Sequence, residues 1–318
     1  MIRISAVVCT FNRSKVLVGA LNSLSAQSLS SSDYEIIVVN NASTDDTEKV
    51  VRRFRKDHPH IHIQSVFERR PGLGCARNAG LCCSRGDFVA YLDDDAVAHP
   101  QWLKRALECF QAISPSPVCV GGPILQFFEV SKPPWFKDEY ETRTWGKVPR
   151  YLTWGEKFSG SNMIFRKSFL RGCKGFNETL GMTSKFLSVG EETDLFERLW
   201  RNGNGDRLFY YCPRLIVHHK VFSHRMTPVY RLKRAYAEGQ SWQRRQINES
   251  AFRRWASIIR AIGNVVFWSG SALTRRWCYH RIENWLVEAW WDPVHHIGRL
   301  SEGLRLNLYS SSREARDV

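Results

Sequence analysis

The sequence predicts an α/β protein: a Rossmann-like, doubly wound and mostly parallel sheet flanked by helices, with a helical extension at the C-terminal end. Three observations predict it. In the first hundred residues short apolar runs alternate with helix-like segments, the order a parallel sheet requires. The 318 residues allow one large domain of this kind plus an appendage, with a sizeable core. From about Pro228 the pattern changes to long helical stretches rich in Arg and Trp, with seven of the twelve Trp after residue 240.

Taken in order, "IRISAVV" (Ile2–Val8) is an apolar strand, and Ser14 stands where it can cap a helix running to about Gln27. "YEIIVVN" (Tyr34–Asn40) is a second strand. "STDDTEKVVRRFRKDHP" starts a helix with Ser43 as N-cap, acids in the first turn and cations towards the end, which suits the helix dipole. "HIHIQSV" alternates as a third strand, "GCARNAGLCCS" is a short helix and "DFVAYL" a fourth strand. Between about Pro115 and Tyr211 the pattern is less regular. There "GGPIL" and "SGSNMIF" read as strands and "GEETDLFERLWRNG" as a helix that stops at Gly203. Further on, Trp255, Ile258, Ile259, Ile262 and Val265/Val266 fall at helical spacing, as do Ile282, Trp285, Leu286, Ala289 and Trp290. The chain therefore divides into a region 1–227, a basic, Trp-rich helical region 228–310 and a disordered tail 311–318.

The formal charge of +15 suggests an anionic partner: nucleic acid, acidic lipid or a phosphorylated substrate. The nine Cys are odd in number and form no CxxC, and Cys82-Cys83 are adjacent, so they read as reduced thiols of a cytosolic protein. The apolar core of "ISAVVC" is too short for a signal peptide. No apolar run of about 18 residues appears, so no spanning helix is expected.

The chemistry gathers where the strands end. The first strand ends in "CTFNR", with Thr10, Asn12 and Arg13, and the second in "NNASTDD", with Asn40 and Asn41. The third leads to "ERRPGLGCARNAG". The fourth runs into Asp93, Asp94 and Asp95 with no Lys or Arg between Asp87 and Pro100. Adjacent carboxylates repel, and a buried one is costly unless paired or metal-bound. The triplet is thus either a solvated loop or a site for a hard divalent cation. Its place at the C-terminal end of an apolar strand, where open α/β sheets bind ligands, favours the cation. Asn and Thr side chains can read a nucleobase edge, and Arg13, Arg70 and Arg77 can face phosphates. The Pro71-Gly72-Leu73-Gly74 turn opens a helix whose first amides suit an anion. Each signal is weak alone; their order and spacing describe a nucleoside-diphosphate site.

With "VVCTFNR", "IIVVNNASTDDT", "GLGCARNAGL" and "YLDDDA" in that order, the sequence resembles glycosyltransferase family 2, inverting enzymes of GT-A fold. The resemblance continues through "SGSNMIFRKS", "GFNETLG", "GEETDLFERL" and "VHHKVFSHRMT" and covers about residues 2 to 240. It implies a nucleotide-sugar-binding and catalytic domain over 1–227. In it the triplet is the DxD motif, with Asp93 and Asp94 on ribose and phosphate and Asp95, helped by Asp93, on Mn²⁺ or Mg²⁺. Thr10, Asn12, Arg13, Asn40, Asn41 and Arg77 would complete the nucleotide site. Asn40 departs from the family's usual Asp; its carbonyl can accept from uracil N3–H while its amide can donate, which leaves the base open. "GEETDLFERL" resembles the family's ED motif, with Glu192 as the base and Glu191 as runner-up, and Asp194 and Arg198 orienting the helix. In "VHHKV", His219 rather than His218 would complete the metal site. Gly160, Ser161, Asn162, Met163 and Asp194 would line the donor-sugar and acceptor pocket. Trp135, Trp145 and Trp154 are open between sugar stacking and core packing.

The implied function is metal-dependent, inverting transfer of a sugar, UDP-linked by expectation, to a glycan or lipid-linked acceptor in polysaccharide or glycolipid assembly. The tail, with 16 Arg/Lys against 8 Asp/Glu from His224 on, reads either as helices packed on the core or as an interface with an anionic membrane. The second reading places the protein peripherally on the cytoplasmic face. Two other classes remain. A sugar-nucleotide pyrophosphorylase should show a GxGTRxxPxT-like loop where this chain has "CTFNRSKVL". A nucleic-acid-binding module would spread its cations over a base-stacking face; here they gather in the Trp-rich tail, so no nucleic-acid partner is expected.

Overall fold

In this computed structural model the described residues are 1–180, 190–202, 208–246 and 251–306; the tail 311–318 and the Gly203 helix stop lie outside them. β1 (Ile4–Thr10) leads to α1 (Ser14–Ser25), β2 (Tyr34–Asn40) to α2 (Thr47–Asp57) and β3 (His62–Phe67) to α3 (Leu73–Cys83). β4 (Phe88–Asp93) is followed by β5 (Ala96–Ala98) and α4 (Trp102–Ala112). Next come β6 (Cys119–Gly121), β7 (Ile124–Phe128), β8 (Arg150–Tyr151), β9 (Met163–Arg166), α5 (Lys167–Gly172), α6 (Glu191–Asn202), β10 (Phe209–Tyr211) and β11 (Val217–Val221). The C-terminal region is α7 (Pro228–Arg245), α8 (Ala251–Thr274), α9 (Ile282–Asn284), a π-turn at Trp285–Ala289, and α10 (Trp291–Gly303).

Among the described residues the main sheet has eight strands in the order β3-β2-β1-β4-β9-β6-β10-β8. The first four are parallel, as the alternating pattern predicts. β9 runs antiparallel to β4 and β6, and β8 antiparallel to β10. β5, β11 and β7 form a second, three-stranded sheet that begins immediately after Asp95. β2 is buried at every position, which is why its sequence is apolar without alternation. Its one acid, Glu35, accepts from Ser5 Oγ at 2.7 Å and from Arg85 N and Nε at 2.7 and 2.8 Å. Apolar cores lie on both faces: Ile36, Val38, Leu21 and Trp102 on one, Val39, Ala76, Phe196 and Tyr211 on the other.

Several local expectations are corrected. Ser14 is inside α1 rather than its cap, and its N–H donates to Asp45 Oδ2 at 2.9 Å. Ser43 lies four positions before α2 begins and accepts from Asn12 N at 2.9 Å; Asp45 Oδ1 instead takes Thr47 N at 3.0 Å. One short carboxylate thus ties the starts of both helices. "GGPIL" is not one strand. Gly122 and Pro123 divide β6 from β7, and a Cβ at Gly122 would stand 2.2 Å from Leu215 O. "SGSNMIF" becomes a strand only at Met163.

α7 and α10 cross closely: a Cβ at Gly239 would lie 1.9 Å from His295 O, and one at Gly298 2.1 Å from Tyr236 O. α8 buries Ile258, Ala261 and Ala272 and turns Trp255 (61 % exposed), Ile259, Ile262, Val266, Leu273 and the following Trp277 (91 %) outward. One stretch bears on the expectation of no spanning helix. By length and composition Trp255–Cys278 is long and apolar enough to cross a membrane, and only 22 % of its apolar window is buried. Arg260 interrupts it, so a count of consecutive apolar residues misses it. The face expected from Ile282 to Trp290 is split between α9 and the π-turn, with Val287 and Ala289 buried. Trp135 is a core residue beside Phe136, while Trp145 and Trp154 are exposed.

Candidate active site

β1 lies between β2 and β4, with Thr10 beside Asn40 and Cys9 beside Asp93. The residues that end these strands are therefore neighbours along one sheet edge. Asp94 accepts from Thr10 Oγ1 and from Arg13 Nη1, each at 2.7 Å. Asp95 Oδ2 accepts from Arg225 Nη2 at 3.0 Å and Arg13 Nη1 at 3.2 Å, while its Oδ1 is 3.0 Å from His219 Nε2. The antiparallel pairing of β11 with β5 brings His219 there, and Lys220 N donates to Asp95 O at 2.8 Å. Strand alternation turns the neighbouring His218 to the other face of β11.

Asp93 is the open carboxylate of the triplet, its side chain 33 % exposed against 6 % for Asp94 and 2 % for Asp95. Ligand atoms of Asp93, Asp95 and His219 all lie within 4.8 Å of one another. Two carboxylates and one imidazole on a partly open site fit Mn²⁺ or Mg²⁺. Burial raises Asp94 to about 6 against the pull of Arg13. Burial also opposes the charge of Asp95, but His219 and Arg225 hold it well below the usual carboxylate range. Desolvation works against a charged His219, and Asp95 overcomes it, raising the imidazole.

A second group of acids faces this one across Arg77. The Arg77 side chain comes from α3 and is buried; Nη1 donates to Glu191 Oε1 at 2.9 Å and Nη2 to Glu192 Oε1 at 3.2 Å, with Asp93 Oδ1 3.5 Å from Nη2. Phe176 stacks under the guanidinium at 5.3 Å. Gly160 leaves the room this needs, because a Cβ there would stand 2.0 Å from Arg77 Nη2 and 2.2 Å from Glu192 Oε1. Both glutamates open α6. They differ in access: the Glu192 side chain is 22 % exposed and that of Glu191 3 %. Burial, helped by the neighbouring Glu192 charge, pushes Glu191 up to about 7, and its Oε2 has no partner.

Other expected site residues are placed differently. The Asn41 amide is fully used on backbone: Nδ2 donates to Glu68 O and Arg70 O at 3.1 and 2.7 Å, and Oδ1 accepts from Gly72 N at 2.9 Å. It clamps the loop before α3, with both amide protons spent on backbone. Asn162 is buried with Trp102 Nε1 on its Oδ1 and Pro123 O and Leu215 O on its Nδ2, and Met163 lies in the core; neither lines a pocket. Ser161 is buried beside them, which leaves Gly160 as the member of that run against Arg77 and Glu192. Asp94 is committed to Thr10 and Arg13, and Asp194 to Arg198 at 2.8 Å, which also donates to Cys173 O and Gly175 O and so orients α6. Asn12 holds Thr44 N at 2.7 Å from a left-handed backbone (φ 53°), and Asn40 Oδ1 takes Ser43 N at 2.9 Å. Arg70 is exposed and bound to Glu68 and Glu178. Sequence reading missed Arg225. Its only signal was its place in "VHHKVFSHRMT", six residues after His219.

A profile described as "Glycosyl transferase family 2" matches residues 5–179, more than half of the chain. The uncharacterized glycosyltransferase alr2836 of Nostoc sp. is 37 % identical over 109 residues, 34 % of this chain and 33 % of that protein; the chain thus spans about a third of its length. Glucosyl-dolichyl phosphate glucuronosyltransferase of Haloferax volcanii is 24 % identical over 247 residues, covering 75 % of this chain and 76 % of its own. Mannosyltransferase PcManGT from Pyrobaculum calidifontis, solved in complex with GDP-Man and Mn²⁺, superposes with a TM-score of 0.62 at 19 % identity, covering 94 % of this chain and 87 % of that one. At that identity the likeness is one of fold, and the fold is of GT-A type.

Proposed function

The chain belongs to glycosyltransferase family 2, and from that premise we propose a metal-dependent, inverting transferase. It moves a sugar from a nucleoside-diphosphate-sugar, UDP-linked, to a hydroxyl of a glycan or lipid-linked acceptor in polysaccharide or glycolipid assembly. The observation that carries the reading is Arg77, whose Nη2 lies 3.5 Å from Asp93 Oδ1 and 3.2 Å from Glu192 Oε1. It joins the cation-binding pole to an open carboxylate. Residues 1–227 are the catalytic unit in this reading and 228–310 its membrane-facing appendage.

The β1 and β2 edge, whose loops Thr10, Asn12 and Asn40 anchor, would receive the nucleoside, and Arg13 the phosphates. Asp93, Asp95 and His219 would hold Mn²⁺ or Mg²⁺, which when bound neutralises charge on the departing diphosphate. Glu192 accepts the proton of the acceptor hydroxyl as that oxygen attacks the anomeric carbon. Arg77 orients Glu192 through its Nη2 contact, while Glu191, buried behind it, anchors Arg77. Attack from the Glu192 side, opposite the diphosphate, inverts the anomeric centre. Exposed Trp255, Ile259, Ile262, Val266 and Trp277, with Arg260, Arg275, Arg276 and Arg281 nearby, suit an anionic bilayer on the cytoplasmic face. The name of the Haloferax relative includes a dolichyl-phosphate sugar, which supports a lipid-linked acceptor here.

The test is a thermal-shift screen of UDP-, GDP- and dTDP-sugars, each with and without Mn²⁺. A true donor present at a hundred times its Kd stabilises the fold by about 2.7 kcal/mol. If no nucleotide-sugar raises the melting temperature with either Mn²⁺ or Mg²⁺, the reading is rejected.

A further inference from the structure

Asp95 is surrounded by more positive charge than one carboxylate balances. Arg13 and Arg225 share its Oδ2, and His219 faces its Oδ1. The guanidinium donors are nonetheless not all used: Arg13 Nε and Nη2 and Arg225 Nε are buried without a hydrogen-bond partner. Both guanidinium groups lie over the Phe222 ring, at 5.4 Å for Arg13 and 5.3 Å for Arg225. An aromatic face holds a cation without occupying its N–H donors. Buried donors left unmade are costly, so two such groups side by side are arranged for an anion that arrives from outside.

The two arginines are not equivalent. Arg13 is also held by Asp94 at 2.7 Å. The Arg225 side chain donates to Asp95 and rests on Phe222. It sits in the short turn Ser223–Met226 directly after β11, the strand that carries His219. A divalent cation bound by Asp93, Asp95 and His219 would draw on the same Asp95 carboxylate that Arg225 holds at Oδ2, so the two compete for its charge.

We propose that Arg225 is a built-in counter-ion exchanged on ligand binding. It closes on Asp95 while the acidic site lacks a divalent cation, and turns to the donor's diphosphate oxygens when cation and nucleotide enter together. The inference rests on the metal reading given above and adds a consequence to it. Cation alone competes with Arg225 for Asp95 with nothing to receive the guanidinium, and nucleotide alone meets Arg225 already occupied. Each therefore binds weakly alone and strengthens the other by the same factor.

The experiment measures free Mn²⁺ by electron paramagnetic resonance with the full chain, alone and with UDP or GDP, corrected for Mn²⁺ held by nucleotide in solution. In the unaltered protein the better nucleotide tightens Mn²⁺ tenfold or more. In Arg225→Gln the nucleotide-free protein binds Mn²⁺ several-fold more tightly, and the gain from nucleotide falls below threefold. Arg225→Lys, which keeps the charge, retains weak binding alone. A residue that only holds the turn in place would give the opposite result, equal or weaker Mn²⁺ binding in Arg225→Gln, and that outcome overturns the proposal. So does absence of coupling in the unaltered protein, whatever the variants do. No Mn²⁺ binding under any condition overturns the metal reading and this inference with it; binding that Arg225→Gln leaves unchanged overturns this inference alone.

Discussion

Arg77 and Glu191 are paired at 2.9 Å with side chains only 2 % and 3 % exposed, so the charge of each depends on the other. Glu192 and Asp93 lean on the same guanidinium. Arg77→Met leaves a buried carboxylate without its counter-charge, a change that costs about 3–5 kcal/mol. Urea denaturation at pH 7 should show that loss, and Arg77→Met combined with Glu191→Gln should recover part of it. Additive losses in the double variant would mean the two side chains are not energetically paired.

Glu192 and Glu191 differ in access, and their variants should differ in kind. Glu192→Gln keeps donor affinity and loses transfer by roughly 100-fold or more, the usual scale when a general base is removed. Glu191→Gln keeps the partly exposed carboxylate and loses less. Isothermal titration with donor and a transfer assay on both variants check this; the reverse ranking would exchange the two roles.

The raised pKa of Glu191 predicts a slope in stability with pH. Its folded value, about 7, lies above the ordinary 4.5, so the folded chain binds this proton more tightly than the unfolded chain does. The stabilisation is complete below about 4.5 and is lost as pH rises through about 7. Glu191→Gln removes the titration. Relative to that variant, the unaltered protein should therefore lose unfolding free energy from pH 5 to pH 8. Denaturant midpoints across that range measure the difference, and a flat or rising difference contradicts the raised pKa of the buried carboxyl.

Gly160→Ala tests how tightly the two poles are joined. The added methyl would press on Arg77 Nη2 and Glu192 Oε1. Transfer should fall about tenfold or more while nucleotide binding at the β1 edge changes little, because a small displacement of a reacting group is costly to rate. Full activity would show that the guanidinium contact is dispensable.

The parallel half of the sheet was legible because β1, β2 and β4 are apolar runs ending in chemistry-bearing residues, and the Asp93–Asp95 triplet at the end of β4 was legible for the same reason. What was not legible came from contacts between distant segments. Asn162 looks like a pocket residue in "SGSNMIF", yet Trp102, Pro123 and Leu215, distant in sequence, take up its amide. Asn41 looks like a base reader beside Asn40, yet it closes the loop at Gly72. Arg225 reaches Asp95 across 130 positions, and no local pattern announces it. α8 was legible as a helix, but which of its apolar residues face outward depends on where α10 packs.

The outward face of α8 gives the last prediction. Trp255, Ile259, Ile262, Val266 and Leu273 recur every three, four or seven residues and stay exposed, as does Trp277 beyond the helix end, while Ile258 and Ala261 between them are buried. A soluble helix normally turns such a stripe inward. Arg260 and Arg281 are exposed and Arg275 and Arg276 partly so, which gives the stripe a cationic border. The protein should sediment with anionic liposomes at low salt and leave them only partly at high salt, because salt screens the arginines and not the buried Trp and aliphatic groups. Each arginine near the headgroups contributes about 1 kcal/mol. Replacing Arg260, Arg275 and Arg281 with Glu should therefore weaken binding by at least tenfold, while Val266→Asp should abolish the salt-resistant fraction. Circular dichroism and the melting temperature establish that both variants fold. If both sediment like the parent, α8 is not the element that meets the bilayer and its stripe has another partner.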